Sequence, residues 1–297
     1  MTFTALRMSD VPSTIRLHRE MSARSSGFAS KSKELQLRVA LFNTCIGDAM
    51  FPDVLKATAV ILSRLGYEVV VPEEQTCCGQ MHYNTGYRKE VVPMVENYVD
   101  AFSDPSIDYV VAPSGSCIHS VRSQHPQVAE KYGTAALRDG VSKVTKKSLD
   151  LSEFLIDVAQ TDNVGAFFPH RVTYHPSCHG KRMLGLGERP LQLLRNVEAI
   201  DLVELPNAEE CCGFGGTFSL KAPEISAAMV NDKTRHIRET GAEYVTGGDQ
   251  SCLWNIGGTL SRQHAGIRAV HMAEILASTK EHPWTPTSAV YDKEKML

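Results

Sequence analysis

Apolar residues in this chain fall into two alternating kinds of run. Short, nearly continuous runs, RVALFNTC (38–45), YEVVVP (67–72), DYVVAP (108–113), RVTYHP (171–176), AIDLVELP (199–206) and AEYVTGG (242–248), have the length and β-branched content of buried strands. Between them the spacing is helical. From Phe51 to Leu65, the residues Val54, Ala57, Ile61, Leu62 and Leu65 share one face, and Gly66 supplies a stop. Further helices are predicted over about Thr85 to Phe102, Pro190 to Val197 and Pro223 to Thr240. Strands alternating with helices predict an α/β fold of small, mostly parallel sheets flanked by helices and joined by right-handed crossovers.

Composition narrows the function classes. The 297 residues carry 31 Lys and Arg against 34 Asp and Glu, a formal charge of −3, and 42% are hydrophobic. Such a chain can fill one large core or two domains of about 100–150 residues each. Its charge argues against a nucleic-acid partner held by phosphate neutralisation. No run approaches the roughly 18 apolar residues of a membrane span. Through Lys33 the chain has six basic and two acidic residues and many serines, but no apolar stretch of the signal-peptide kind. It reads as a basic, flexible N-terminal tail with a faint transit-peptide likeness. A cytoplasmic location with reduced cysteines is the resulting expectation.

The cysteines then reorganise the picture. Cys45, Cys77, Cys78 and Cys117 repeat as Cys178, Cys211, Cys212 and Cys252, at offsets of 133, 134, 134 and 135. Pro72 and Pro206, Gly79 and Gly213, Tyr109 and Tyr244, and Ser116 and Ser251 recur at the same spacing. A fixed period over half the chain is the signature of a tandem duplication. The expected organisation is a tail over 1–36, a first domain over 37–165, a second over 166–280 and a C-terminal tail over 281–297. Each cysteine or pair lies at or just after the carboxyl end of a predicted strand. Those ends share one edge of a parallel sheet, where ligands bind, so distant cysteines can converge there.

Thiolates at such a site could hold zinc, an iron–sulfur cluster, a redox dithiol or nothing. Structural zinc uses short Cys-x₂₋₄-Cys knuckles, and no Cys-x-x-Cys occurs here. Adjacent side chains also point apart, which disfavours chelation of one ion by Cys77 with Cys78 or by Cys211 with Cys212. A polynuclear cluster removes that difficulty, because each thiolate of a pair can take a different iron. Gly79 and Gly213 fit a positive φ or close packing after each pair. The stretch Cys-Cys-Gly-Phe-Gly-Gly (211–216) lacks the third glycine of a dinucleotide fingerprint, since Phe218 stands in its place. It reads as a loop wrapped around a cluster, with backbone N–H groups aimed at sulfur.

The phrases FNTCIGDAMFP (42–52), TCCGQMHYNTG (76–86), APSGSC (112–117), YHPSCHG (174–180), ECCGFGGTFS (210–219) and DQSC (249–252) together resemble the cysteine-rich CCG domain. That domain occurs in tandem in a subunit of heterodisulfide reductase, in the glycolate oxidase iron–sulfur subunit and in a subunit of the anaerobic glycerol-phosphate dehydrogenase. The chain is similar above all to the lactate utilization protein A family, which has little besides the two domains.

The resemblance implies an iron–sulfur electron-transfer subunit of a complex oxidising L-lactate to pyruvate, allowing growth on lactate. It implies [4Fe–4S] clusters, one or two per chain, held by Cys45, Cys77, Cys78, Cys117, Cys178, Cys211, Cys212 and Cys252 as metal ligands. Implied partners are a small 2-hydroxy acid and other subunits of the complex, including a ferredoxin-like iron–sulfur protein. The fuller motif of some relatives ends Cys-x-x-Cys. Here Ser114 and Asp249 stand three residues before Cys117 and Cys252, leaving four cysteines per half, the usual complement of one [4Fe–4S] cluster. Other expectations are a subunit of a heterodisulfide-reductase-like or glycolate or glycerol-phosphate dehydrogenase complex, and a zinc-stabilised, non-catalytic scaffold.

The remaining candidates carry weaker signals. His82, His119, His175 and His179 lie near cysteines and fit hydrogen bonding to a site better than ligation. Lys181 and Arg182 could offset the charge of a cluster. Ser114 and Asp249 suit helix N-caps, and Trp254 and Phe218 suit either core packing or shielding from water. Lys143, Lys146 and Lys147 read as solvated linker charge before a turn at Thr161 to Gly165. No paired carboxylates, nucleophile elbow or flavin fingerprint marks where a hydroxy acid would be oxidised, which places that chemistry with a partner or at a site the motifs do not show.

Overall fold

A computed structural model describes residues 36–284. The basic segment through residue 35 and residues 285–297 lie outside the described residues. The first half contains β1 (Arg38–Leu41), β2 (Glu68–Val70), β3 (Tyr109–Ala112) and β4 (Ser148–Asp150); the second contains β5 (Arg171–Tyr174), β6 (Asp201–Val203), β7 (Tyr244–Gly247) and β8 (Arg268–His271). The strand orders are β2-β1-β3-β4 and β6-β5-β7-β8, every pairing parallel. The registers match as well: Val39 pairs with Tyr109, and Val172 with Tyr244. The fold is α/β, two parallel four-stranded sheets flanked by helices.

The helices follow their sequence signals with shifts of a few residues. The helix Pro52–Arg64 starts on a proline, carries Asp53 in its first turn and Arg64 in its last, and buries Val54, Ala57, Ile61 and Leu62. Gly66 at φ +90° turns the chain into β2. The helices Arg189–Arg195 and Pro223–Glu239 lie where the spacing places them. The expected helix from Thr85 is instead a short helix, Gln80–Thr85, a left-handed Gly86, a 3₁₀ turn at Lys89–Val91 and a helix over Val92–Phe102.

The fourth strands, β4 and β8, escape the hydrophobic pattern because they are short and half polar. Ser148 is buried and shares a hydrogen bond with the Tyr98 hydroxyl at 2.8 Å, while the carboxylate of Asp150 caps the next helix by accepting from the N–H of Ser152 at 2.8 Å. The linker reading of Lys143, Lys146 and Lys147 is therefore corrected. Lys143 and Lys146 belong to the helix Ala135–Lys146, and the Lys147 ammonium donates to the Ile107 carbonyl at 2.8 Å on the way into β4.

The largest hydrophobic core runs through both halves. It joins Val39, Leu41, Leu55 and Ile61 to Val172, Leu193, Val270 and Met272, and it includes Val164 and Ala166 at the expected domain boundary. The helix Pro52–Arg64 lies against the helix Met272–Ala277 from the other half. Arg64 donates to the carbonyls of Val164 (3.0 Å), Leu276 (3.2 Å) and Ala277, satisfying acceptors that a helix end leaves orphaned.

Glu274 sits in that same contact, accepting from the His271 N–H at 2.9 Å and from the Trp284 indole at 3.3 Å. Burial pushes its carboxyl up to about 7. A folded pKa above the unfolded one means that this group's contribution is fully present below about pH 4.5 and is lost as pH rises through about 7. The stability of the wild type relative to a Glu274→Gln variant is expected to fall by about 3 kcal/mol between those limits. Parallel denaturant titrations of the two proteins across pH 4.5–8 check it.

Candidate metal centre

The carboxyl ends of the strands carry the cysteines. Cys45 opens the helix Cys45–Met50 after β1, the pair Cys77–Cys78 lies in the loop after β2, and Cys117 lies in the helix Gly115–His119 after β3. In the second half Cys178 precedes a π-helical turn, His179–Leu184, after β5. The pair Cys211–Cys212 follows β6, and Cys252 lies in the helix Gln250–Arg262 after β7. Parallel strands bring these ends to one edge in each sheet, and the two edges face each other. All eight cysteines line a single cavity, together with Ile46, Gln80, Met81, His179, Phe214 and Asp249 among others.

Within that cavity the sulfurs form two quartets. The Cys45 and Cys77 sulfurs are 3.4 Å apart, and Cys77 contacts Cys78, which contacts Cys117. The second set runs in the same order, Cys178 to Cys211, Cys211 to Cys212 and Cys212 to Cys252. Cys77 is held well below the usual thiol range by hydrogen bonds from Cys45 and then Cys78, and Cys211 likewise by Cys178 and then Cys212. The N–H groups of Gly79 and Gly213 approach those sulfurs at 3.4 Å. The partner thiols Cys45 and Cys178 are pushed up by the same hydrogen bonds, with burial adding to the effect.

Both glycines are required by geometry. Gly79 and Gly213 have φ of +80° and +81°. A Cβ on Gly79 would come within 2.6 Å of the Val91 side chain, and one on Gly213 within 2.6 Å of the Ser226 carbonyl. The peptide of each pair is pinned from the opposite side. The Cys78 carbonyl accepts from Ser120 (3.3 Å) and meets a His125 ring nitrogen at 2.9 Å, and the Cys212 carbonyl accepts from Asn255 at 2.8 Å.

Ser114 and Asp249 are caps. The Ser114 hydroxyl accepts from the Cys117 N–H at 3.4 Å, and Asp249 accepts from the Ser251 N–H at 3.2 Å and its hydroxyl at 2.5 Å. The other Asp249 oxygen accepts from the Ser116 N–H at 2.9 Å, across from the first half. The two caps pair with each other as an isolated antiparallel bridge.

The histidines divide. His82 is exposed. His179 lines the cavity, meets Gln80 at 3.1 Å and packs 5.3 Å from the His119 ring, joining the halves. His175 is buried, and neither of its ring nitrogens has a hydrogen-bond partner among the described residues. One of them lies within 4.8 Å of the Cys212 and Cys252 sulfurs.

Of the two aromatic residues considered as shields, Phe218 is more than a third exposed, and Trp254 packs between Phe51 and Phe214. The cavity wall is Phe214, which sequence reasoning passed over although it sits inside the Cys-Cys-Gly loop. Lys181 pairs with Glu209 at 2.5 Å, and Arg182 donates to the Glu209 carbonyl at 3.0 Å.

Comparison with known proteins finds the same repeat. The cysteine-rich domain family, CCG, matches residues 39–122 and 172–257, one copy over each half. The lactate utilization protein A of Oceanobacillus iheyensis is 45% identical over 245 residues, covering 82% of this chain and 98% of its own. The chain belongs to the lactate utilization protein A family. Members from Geobacillus sp. (45% over 242 residues) and Bacillus pumilus (44% over 245) each match over 82% of this chain and 100% of their own length. Among solved structures, a Yersinia pestis putative Asp/Glu racemase reaches a TM-score of only 0.34 at 9% identity, covering 88% of this chain and 100% of its own.

Proposed function

We propose that this protein is the iron–sulfur electron-transfer subunit of a cytoplasmic assembly that oxidises L-lactate to pyruvate. The observation that carries the reading is the convergence of two four-cysteine quartets on one cavity. Four sulfurs per quartet fit the donor set of one [4Fe–4S] cluster, with Cys45, Cys77, Cys78 and Cys117 holding one and Cys178, Cys211, Cys212 and Cys252 the other. Such a cluster, when bound, supplies reversible one-electron chemistry. The chain supplies sulfurs biased toward the thiolate form at Cys77 and Cys211, glycine N–H groups aimed at them, and the apolar side chains of Ile46, Met81 and Phe214 in the cavity lining.

The lactate assignment is supported by the family relationship, whose members carry that name. The cavity supports a relay more than a site of substrate oxidation. Among the described residues Asp249 is the one carboxylate in its lining, and both of its oxygens are engaged by backbone N–H groups. We assign removal of the hydroxyl proton and α-hydrogen of lactate to partner subunits, with a ferredoxin-like iron–sulfur protein as a further partner in electron transfer. Among the described residues no helix is long and apolar enough to cross a membrane.

Anaerobic purification is expected to return about four iron and four sulfide per quartet. L-lactate added with co-purified partners is expected to bleach the cluster absorbance, while glycolate and disulfides leave it unchanged. A protein that holds zinc without sulfide would overturn the reading.

A further inference from the structure

The duplication allows the surroundings of the two quartets to be set side by side. Arg38 and Arg171 open β1 and β5, and Cys45 and Cys178 follow them, both at an offset of 133. At that offset His175 stands where the first half has Phe42. Phe42 is fully buried, edge-on to Tyr98 at 5.0 Å and Phe102 at 5.7 Å, in the cluster that contains Cys78 and Cys117. His175 is equally buried, but neither of its ring nitrogens has a partner among the described residues, and one of them lies within 4.8 Å of the Cys212 and Cys252 sulfurs. An unsatisfied buried donor is costly, and a sulfur acceptor would relieve that cost.

The helices behind the pairs differ in the same sense. Gly79 lies against Val91 and Met94, and Gly213 against Ser226 and Met229, an offset of 135. By that offset Lys233 stands where the first half has Tyr98. The Tyr98 hydroxyl is neutral and bonded to Ser148. Lys233 is fully buried, and its ammonium donates to the carbonyls of Asn207 (2.9 Å) and Ala208 (3.2 Å), in the loop that leads into Cys211. Its charge acts first on Glu210 and then on Cys212, Cys178 and Cys211. The facing acid, Glu210, is half exposed and tied to His236 at 3.1 Å, so it offsets Lys233 only in part.

A third contrast is at the surface. Lys181 and Arg182 follow Cys178 where Asp48 and Ala49 follow Cys45, although Lys181 is paired with Glu209 and Arg182 donates to the Glu209 carbonyl. The buried histidine of the first half, His125, meets the Cys78 carbonyl at 2.9 Å, not a sulfur.

We infer that the two sites are built to different reduction potentials, with Lys233 and His175 raising that of the second half, so that a singly reduced chain holds its electron at the Cys178, Cys211, Cys212 and Cys252 site. The inference rests on the reading that both quartets hold iron–sulfur clusters. An added electron is an added negative charge. A buried ammonium stabilises it strongly where the dielectric is low, and an N–H donor to a thiolate draws density off the iron.

The test is a redox titration of the anaerobic protein, followed by electron paramagnetic resonance with dithionite as the one-electron reductant. The signals are assigned to halves by Cys78→Ala and Cys212→Ala. The wild type is expected to reduce in two separated steps, the second half first. Lys233→Met is expected to lower that step enough to cut its reduced-to-oxidised ratio at least tenfold at a fixed potential, about 59 mV for one electron. Lys233→Arg should retain the wild-type step, and His175→Phe carries the test if the methionine variant does not fold. His175→Phe should shift the step in the same direction as Lys233→Met, whereas Tyr98→Phe should move neither step. Loaded clusters that reduce in the opposite order, or a second-half step unmoved by both Lys233→Met and His175→Phe, would overturn this inference and leave the electron-transfer reading standing. Absence of iron and sulfide from the wild type would overturn both.

Discussion

Replacing Cys212 with alanine is expected to halve the iron and sulfide bound per chain, from about eight of each to about four, with the loss confined to the second half. Cys212 is buried and stands between Cys211 and Cys252 in the chain of sulfur contacts, so its removal breaks the quartet at its middle. The first quartet contains its own links from Cys45 through Cys77 and Cys78 to Cys117 and borrows no sulfur contact from the second. Cys78→Ala should therefore produce the mirror result. Iron and sulfide analysis of the two variants, alongside their resonance spectra, checks both. If either replacement emptied the whole protein, the eight cysteines would have to be treated as one indivisible site.

A methyl group at position 213 should be nearly as damaging as the loss of a cysteine. Gly213→Ala imposes a left-handed backbone on an L-residue, costing about 1–2 kcal/mol. It also drives a Cβ to 2.6 Å from the Ser226 carbonyl, a backbone atom that cannot swing aside. Overpacking of this kind adds about 1–3 kcal/mol. The Ser226 hydroxyl donates to the Gly213 carbonyl at 2.8 Å, so any relief of the clash loosens the loop that carries Cys211 and Cys212. The expected result is a loss of about 2–5 kcal/mol in denaturant unfolding, with second-half iron lost preferentially. Gly79→Ala should cost less, because its nearest obstacle is the side chain of Val91. Gly66→Ala separates the two contributions, since Gly66 has a φ of +90° with nothing within 4 Å of an added methyl and should show the backbone cost alone.

Much of this architecture was legible because the parallel sheet leaves a simple trace. Buried strands such as RVAL and YVVA are continuous apolar runs, and a cysteine after each strand end is enough to place both quartets on sheet edges. The fourth strands were hidden by their chemistry: Ser148 and Asp150 are buried through hydrogen bonds, not through apolar character. Lys233 was hidden by its type. A lysine between Val230 and Ile237 on a helix usually marks a solvent face, and the signal against that view was its place on the same stripe as those two buried residues. His175 was visible as a neighbour of Cys178, but its isolation from any partner depends on tertiary packing that no local spacing encodes.

The bridge between Ser114 and Asp249 points back to how such a molecule arises. These two residues occupy the same place in their respective halves, 135 positions apart, and they touch each other. A position that meets its own counterpart lies on a two-fold axis, as in an isologous contact between identical subunits. A half-length ancestor would have made this contact with a second copy of itself and formed its cavity at the dimer interface. Fusion of the two copies lifted the requirement that both sides be identical. From then on one side could carry a serine while the other carries a carboxylate that serves both helices.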